Sequence, residues 1–394
     1  MICNPRLIPR FNIDYKTSDF ISAIFHLRTE PDISPIRDLF SDVDISFTNS
    51  GRTSLFIILK ALNLPDKAKI GVPLYSCPSV FEAIILAGFI PIFIDIDPEN
   101  YTLSPEDLEK KIDNLEAIIV IHTFGRPADL ERIQKIAGNK PVIEDCAHAL
   151  LSKYKGELVG TVGIAGFFTF RTGKYISAGE GGMIITKDPK LANEIKKQIE
   201  KLPTPSVKNE IRHCVITYLR STLYHRPWFG LLSLPLGSKI DGKVDLMNKH
   251  SFNTMKIRNV DLYVISRKMR DFKEKIEKQR ENSRHLINRL SYLNIKLPIE
   301  KSRMFCNYYL FPIQLENEIV RDHLSNLLLR NGFDTSKLFS KTSEIAKIHY
   351  GYKGDCINTE KVSGRILTIP NYYTLQSKEM NKIIETVGLC ILSE

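Results

Sequence analysis

Long apolar runs are missing from this sequence: no stretch approaches the roughly 20 consecutive apolar residues that a membrane-crossing helix requires, so no such helix is expected. Paired cysteines are missing too. The seven present, Cys3, Cys77, Cys146, Cys214, Cys306, Cys356 and Cys390, form no CxxC motif and no Cys/His ligand spacing. That argues against a disulfide framework and a metal site, and for a reducing compartment. The opening stretch, MICNPRLIPRFNIDY, has no secretory apolar core, and the cytoplasm is the expected location. Acidic residues are the scarcer charge: 45 Asp and Glu face 55 Lys and Arg, a formal net charge of +10. An excess of this sign attracts anions, from phosphates to nucleic acid. No zinc-finger, helix-turn-helix or RNP pattern accompanies it, so anionic small molecules are the expected partners and nucleic acid is not.

With 43% hydrophobic and 25% charged residues the composition is that of a globular protein, and 394 residues suffice for one large domain and a smaller one. Organisation is clearest between residues 44 and 186. Strands are predicted at 44–47, 69–73, 90–95, 117–122 and 141–144, and helices from Gly51 onward and at 78–87, 104–112 and 128–137. Short buried strands alternating with amphipathic helices build βαβ units, hence an α/β fold with a mostly parallel sheet flanked by helices. Ligand-binding residues in such sheets collect past the carboxyl ends of the strands. Scrutiny therefore falls on residues 75–77, 122–125 and 145–148.

Three stretches carry chemistry. In NSGRTSLFIILKALNL a polar turn opens a helix whose apolar positions Leu55, Ile58, Leu59 and Leu62 recur at helical spacing. The N–H groups and dipole of such a start suit an anion, with Gly51, Thr53 and Ser54 placed to hold a phosphate; a plain N-cap accounts for the same residues. In VIEDCAHAL, Glu144 and Asp145 end a buried strand, where an acid is costly without a cationic partner. An N-cap is again the competing account. In FFTFRTGKYISAGEGG, Lys174 sits between an aromatic strand and a glycine-rich turn, which holds it on tight backbone. A lysine held beside aromatics and a cofactor can lose its proton and attack a carbonyl, whereas a solvated one stays charged. Together the acid and the lysine suit a cofactor gripped at both ends, carboxylate on a pyridinium nitrogen and amine on an aldehyde.

The succession GRTSL, VPLYSCPSV, AGFIPIFIDIDPENYTL, HTFGRPADL, VIEDCAHAL and FFTFRTGKYISAGEGG resembles the DegT/StrS family of pyridoxal-phosphate (PLP) sugar aminotransferases, which have the fold type I architecture. The resemblance runs from about Ser50 to Thr186 and more weakly to the C-terminus. It implies that Lys174 is the Schiff-base lysine and Asp145 the partner of the pyridinium nitrogen. Thr53 and Ser54 would bind the cofactor phosphate through the helix start, and Thr169, where the family usually has serine, would add a hydroxyl to the same phosphate. His148 takes the place of a family glutamine beside the ring, and Glu180 with Gly179, Gly181 and Gly182 closes the lysine loop. Three departures stand out. The family's ring-stacking aromatic falls on Cys77, which leaves Tyr75 as an alternative. Arg171 stands where the family often has histidine. Arg52 lies inside the phosphate turn, either reinforcing anion binding or pointing outward.

The activity implied by the resemblance is transfer of an amino group, from L-glutamate, to a nucleotide-linked keto sugar, in the making of amino sugars for surface polysaccharides. A cyclitol or other carbonyl acceptor is the alternative substrate, and a non-catalytic cofactor-binding protein the alternative function. A homodimer with shared active sites is implied as well, and a loop around Asn253 would reach the partner subunit's phosphate.

Beyond residue 187, a charged surface helix is predicted at 190–201. Residues 212–237 hold the single tryptophan, Trp228, among Arg212, Arg220, His225 and Arg226. Basic flanks around an apolar segment can mark an interfacial membrane helix, but an arm packed on the core or a partner subunit is the prevailing reading, and membrane contact is not expected. A long basic helix over 256–294, a strand at 308–315 and a helix at 324–330 build a smaller C-terminal α+β domain, where Tyr372 and Tyr373 either line a cleft or pack. The expected domains are 1–205, PLP-binding and α/β; 206–250, a variable arm; and 251–394, the C-terminal α+β domain.

Overall fold

The computed structural model describes residues 4–237 and 253–393. In chain order the strands are β1 (Asp44–Thr48), β2 (Lys69–Pro73), β3 (Ile90–Ile94), β4 (Ala117–Ile121), β5 (Val142–Asp145), β6 (Lys153–Tyr154), β7 (Glu157–Leu158), β8 (Ala165–Thr169), β9 (Gly182–Thr186), β10 (Met304–Phe305), β11 (Phe311–Gln314) and β12 (Ile366–Ile369). Seven of them form the main sheet in the order β1-β9-β8-β5-β4-β2-β3. From β8 to β3 every neighbouring pair is parallel, and β9 runs against both β1 and β8. The expected mostly parallel sheet is borne out.

Strand β4, AIIVI, shows why this sheet is central: all five residues are buried, the pattern of a strand covered on both faces. Alternation along it divides two cores. Ile118 and Val120 pack with Ile94, Leu108 and Ile133, while Ile119 and Ile121 pack with Leu59, Phe81 and Ile84. The carboxyl ends of β2, β4 and β5 therefore open at one edge. There the helices Gly51–Ala61 and Pro78–Leu86 begin.

A third core lies around the antiparallel pair β11 and β12, where Phe311, Ile313 and Leu367 meet Leu286, Leu324, Ile383 and Val387 from the helices Phe272–Leu290, Glu318–Arg330 and Ser377–Leu392. Ile8 joins this core and bridges Phe333, so the N-terminal segment crosses to the C-terminal unit. The predicted helix over 256–294 is two, Asn259–Met269 and Phe272–Leu290. Periodicity misses the break because both present apolar residues to the same core, Val264 and Ile265 from one, Phe272 and Ile276 from the other. The predicted strand at 308–315 shortens to β11 because Tyr308 has φ 51°, a left-handed conformation incompatible with a strand.

In the segment singled out around Trp228, the helix Val207–Leu223 is capped by Ser206, whose Oγ accepts the N–H of Asn209 at 3.3 Å, and a π-helical turn follows at Phe229–Ser233. One side of the helix packs on its own chain: Tyr218 stacks on Phe20 with centroids 4.9 Å apart, and the Ser221 hydroxyl reaches the carbonyls of Ile13 and Tyr15. Among the described residues, no helix is long and apolar enough to cross a membrane.

Candidate active site

Glu144 and Asp145 are consecutive, so at the end of β5 they point to opposite sides. The Glu144 carboxylate is fully buried. Its Oε2 accepts from His122 Nε2 at 2.9 Å and Gly160 N at 2.8 Å, and its Oε1 from the N–H groups of Val162 at 2.9 Å and Gly163 at 2.6 Å. Because Ala128 N–H points at His122 Nδ1, the ring proton sits on Nε2 and faces Glu144. This knot fixes the end of β5. It leaves Asp145 on the wall of a cleft of about 630 Å³, within the ~300–1,000 Å³ of small-molecule sites.

Asp145 has one backbone donor, Ala147 N–H at 2.9 Å. Burial pushes its carboxyl above the ordinary range, against the pull of that N–H and of the Lys174 charge. It is a buried acid short of a cation.

Lys174 lines the same cleft. Gly173, before it, has φ 89°, which places the lysine at a turn that a side-chain-bearing residue adopts only with strain. The turn is tied at both ends, by Ser177 Oγ donating to the Lys174 carbonyl at 3.1 Å and Tyr309 Oη donating to the Gly173 carbonyl at 2.5 Å. The ammonium lies 5.4 Å from the centroid of the Tyr309 ring. Burial, then the charge of Arg171, pull its pKa down to about 8, while Asp145 and Cys77 pull the other way. At neutral pH roughly a tenth of such amines are uncharged, against well under about a thousandth at 10.4. The unfolded chain binds the proton more tightly, so this group adds stability as pH rises from about 8 toward 10.5. Replacing Arg171 with glutamine should move the lysine's pKa upward, read as a higher midpoint in the pH profile of its reductive alkylation by a simple aldehyde.

A helix start makes the third wall. Ser50 caps the helix Gly51–Ala61, its Oγ accepting Thr53 N–H at 3.2 Å, and Gly51 sits against β8 so closely that a Cβ there would lie 2.7 Å from Thr169 Cβ. Only glycine brings the helix axis this near the Thr169 hydroxyl. Thr169, Ser50, Gly51 and Arg52 all line the cleft.

The expected residues do not all face the cleft. Thr53 and Ser54, the third and fourth residues of the helix, are fully buried, and their hydroxyls are committed to Asn49 Oδ1 at 2.7 Å and Thr48 Oγ1 at 2.8 Å, which leaves the N–H groups of the helix start to meet an anion. Tyr75 does not face the cleft either. Its ring is buried among Tyr101, Phe124 and Phe339, and its hydroxyl donates to the Leu338 carbonyl at 3.0 Å, away from the cleft lining. Cys77, exposed one residue before the helix Pro78–Leu86, does line the cleft. Arg52 pairs with Glu82 at 2.6 Å while lining the cleft, so it neither points away nor stands alone. His148 also lines it, with Nδ1 accepting Phe124 N–H at 3.3 Å; burial, then the charges of Lys174 and Arg171, hold its pKa well below the ordinary histidine range. Asn253 lies on the cleft of its own chain, its carbonyl accepting from Asn49 Nδ2 at 2.8 Å.

Sequence reasoning missed the far rim. Phe339, His349 and Tyr350 close the cleft from the C-terminal half, and Arg258 reaches Glu180 at 2.8 Å. It also missed a second cavity of about 30 Å³ adjoining Lys174, walled by Arg10, Asn12, Tyr309 and Asn371. Tyr372 and Tyr373 line that cavity and pack as well, with Tyr373 Oη donating to Asp14 Oδ2 at 2.6 Å.

Comparisons with known proteins bear on the family and on the fold. The family model for the DegT/DnrJ/EryC1/StrS aminotransferase family matches residues 43–388. The GDP-perosamine synthase of Escherichia coli O157:H7 is 40% identical over 146 residues, 36% of this chain and 40% of that protein. The L-glutamine:2-deoxy-scyllo-inosose aminotransferase of Streptomyces fradiae is 31% identical over 150 residues, 37% of this chain and 35% of that one. The matching stretches thus span well under half the length of these curated relatives. In fold, the crystal structure of the aminotransferase TlmJ from Streptoalloteichus hindustanus is similar with a TM-score of 0.78 at 19% identity, over 98% of this chain and 99% of that one.

Proposed function

This chain belongs to the DegT/DnrJ/EryC1/StrS aminotransferase family, and from that premise we propose that it is a PLP-dependent aminotransferase passing an amino group from L-glutamate to a keto sugar carried on a nucleotide. The observation that carries the reading is the pairing, on one cleft, of a buried carboxylate short of a cation with a lysine whose pKa is depressed to about 8. The residues present fit the cofactor. Asp145 offers a charge to a ring nitrogen, Lys174 an amine to an aldehyde, and the start of the helix Gly51–Ala61 with the Thr169 hydroxyl an anion site, where a Cβ at position 51 would intrude. When bound, PLP supplies an electron-withdrawing ring that weakens the Cα–H bond of the amino donor.

The chain's own groups do the rest. Asp145 keeps the ring nitrogen protonated, since an opposite charge at contact typically shifts such equilibria by about 1–3 pK units. Lys174, as a free amine, takes the proton from the donor's Cα and returns one on the acceptor side. His148, held uncharged, and Cys77 both line the cleft and would offer a cofactor ring a small, neutral surface. Arg171, exposed at the cleft, favours an anionic substrate such as a nucleotide diphosphate. A protein that only bound the cofactor would have no use for a lysine whose pKa is drawn down to about 8.

One experiment tests the reading: near-visible absorbance of the PLP-loaded protein, titrated with L-glutamate and with L-glutamine, followed by a panel of nucleotide-linked keto sugars and keto-cyclitols. The band should move with glutamate and return with a keto sugar. Return only with a keto-cyclitol would replace the acceptor, and a protein that takes up no PLP would sink the proposal. Asp145→Asn should lower turnover about a hundredfold, because an amide cannot hold the ring cationic. Uptake of PLP, followed in the same spectra, should fall far less.

A further inference from the structure

The helix Val207–Leu223 shows solvent a row of aliphatic side chains one turn apart. Val207, Ile211, Val215, Leu219 and Leu223 are all exposed, Leu219 by 53%. Spacing of four residues keeps them on one face. One residue further round, Lys208, Arg212 and Arg220 form a second exposed row. Past the helix, Trp228 is 45% exposed, and Leu231, Leu232 and Leu236 are exposed too. The neighbouring helix Thr17–Phe25 adds Ile21 and Phe25.

This face is not a core face without a core. The helix is seated by its other side, where Cys214, Thr217 and Ser221 are buried. The charge on the exposed side has one sign. Between residues 207 and 237 the sole acid is Glu210, and it is buried with its Oε2 accepting Val260 N–H at 3.2 Å.

We infer that this face docks on an anionic lipid bilayer, with the aliphatic row and Trp228 at the boundary between headgroups and acyl chains and Lys208, Arg212 and Arg220 against lipid phosphates. A helix of 17 residues lying in the plane is about 25 Å long, and the row winds about 40° per step, which sets Ile211, Val215 and Leu219 into the surface with Val207 and Leu223 at its edges. Charge chooses the occupant. A second copy related by a two-fold axis would bring the same cationic rows toward each other, whereas acidic lipid headgroups complement both rows at once. The inference is independent of the aminotransferase reading.

The test is co-sedimentation of the full chain with vesicles of phosphatidylcholine alone and of phosphatidylcholine mixed with phosphatidylglycerol. The protein should pellet with the mixed vesicles at least about tenfold more than with the neutral ones, and less as salt shortens the screening length. Val215→Glu with Leu219→Glu should abolish pelleting. So should Lys208→Glu, Arg212→Glu and Arg220→Glu together, with circular dichroism, sedimentation mass and amino transfer unchanged in both variants. Wild-type protein that stays in the supernatant with mixed vesicles overturns the proposal. So does charge reversal that leaves pelleting intact, or Val215→Glu with Leu219→Glu lowering the sedimentation mass, which would make the face a subunit contact.

Discussion

Lys174→Ala should leave the protein folded and able to take up PLP through its anion site, yet reduce amino transfer by at least about a thousandfold, or about 4 kcal/mol of transition-state stabilisation. The size follows from the double duty assigned to one amine: bonding to the aldehyde and moving the proton at the donor's Cα. Among the described residues, no other lysine lines this cleft. Arg171 and Arg258 are cations that do not give up their protons, and His148 is engaged at Nδ1 by the Phe124 N–H. Lys174→Arg separates charge from proton transfer. It keeps a cation at the site, stays protonated at every working pH, and should be as inactive as the alanine variant. Single-turnover absorbance with L-glutamate reads both variants against the wild type. A Lys174→Ala protein retaining a tenth of the wild-type rate would show that the lysine is a bystander and that the low pKa has another cause.

How far the site was legible in the sequence depended on the range of the interaction that fixes each residue. Lys174 and Asp145 were readable because their placement is local: a strand end for one, a strand followed by a glycine turn for the other. Gly51 belongs with them, because the need for closeness to β8 is met by the residue itself. The direction of Tyr75 was unreadable for the opposite reason. It sits two residues past β2, where the topology sends ligand-binding residues, but its direction is set by Phe339 and the Leu338 carbonyl, 263 positions away for the hydrogen bond. Thr53 and Ser54 show the same limit over a shorter distance. A sequence reveals that hydroxyls stand at a helix start, not that Asn49 and Thr48 take them first. The alternation of strands and helices fixed the parallel sheet, whereas the reversal of β9 and the break between Met269 and Phe272 came from packing that periodicity does not encode.

Glu144→Gln should destabilise the fold by about 3–5 kcal/mol, the cost typical of breaking a buried charge network by changing one partner. The carboxylate meets four donors, two on each oxygen. An amide has one oxygen and one NH2. Whichever end faces Val162 and Gly163, two N–H donors meet another donor, and each orphaned buried group costs about 1–3 kcal/mol. The change is felt at the active site as well, since His122 follows β4 and Glu144 precedes Asp145 at the carboxyl end of β5: two strand ends beside Asp145 are tied to one side chain. Turnover should therefore fall in Glu144→Gln even where it is fully folded. The pH dependence has a definite sign. Burial alone would raise the Glu144 pKa, but the His122 hydrogen bond, then the Gly160 and Gly163 N–H groups, more than offset it and hold the value below the ordinary 4.5. Its stabilising contribution is therefore complete above pH 4.5 and is lost as pH falls through the lower native value. Urea unfolding of both proteins from neutral pH down into acid should show the gap narrowing below pH 4.5, as the wild type sheds a contribution the glutamine variant never had. A gap under about 1 kcal/mol at neutral pH, or one that widens in acid, would mean that the loop 160–163 is held by its own turns and that Glu144 merely fills the space beneath it.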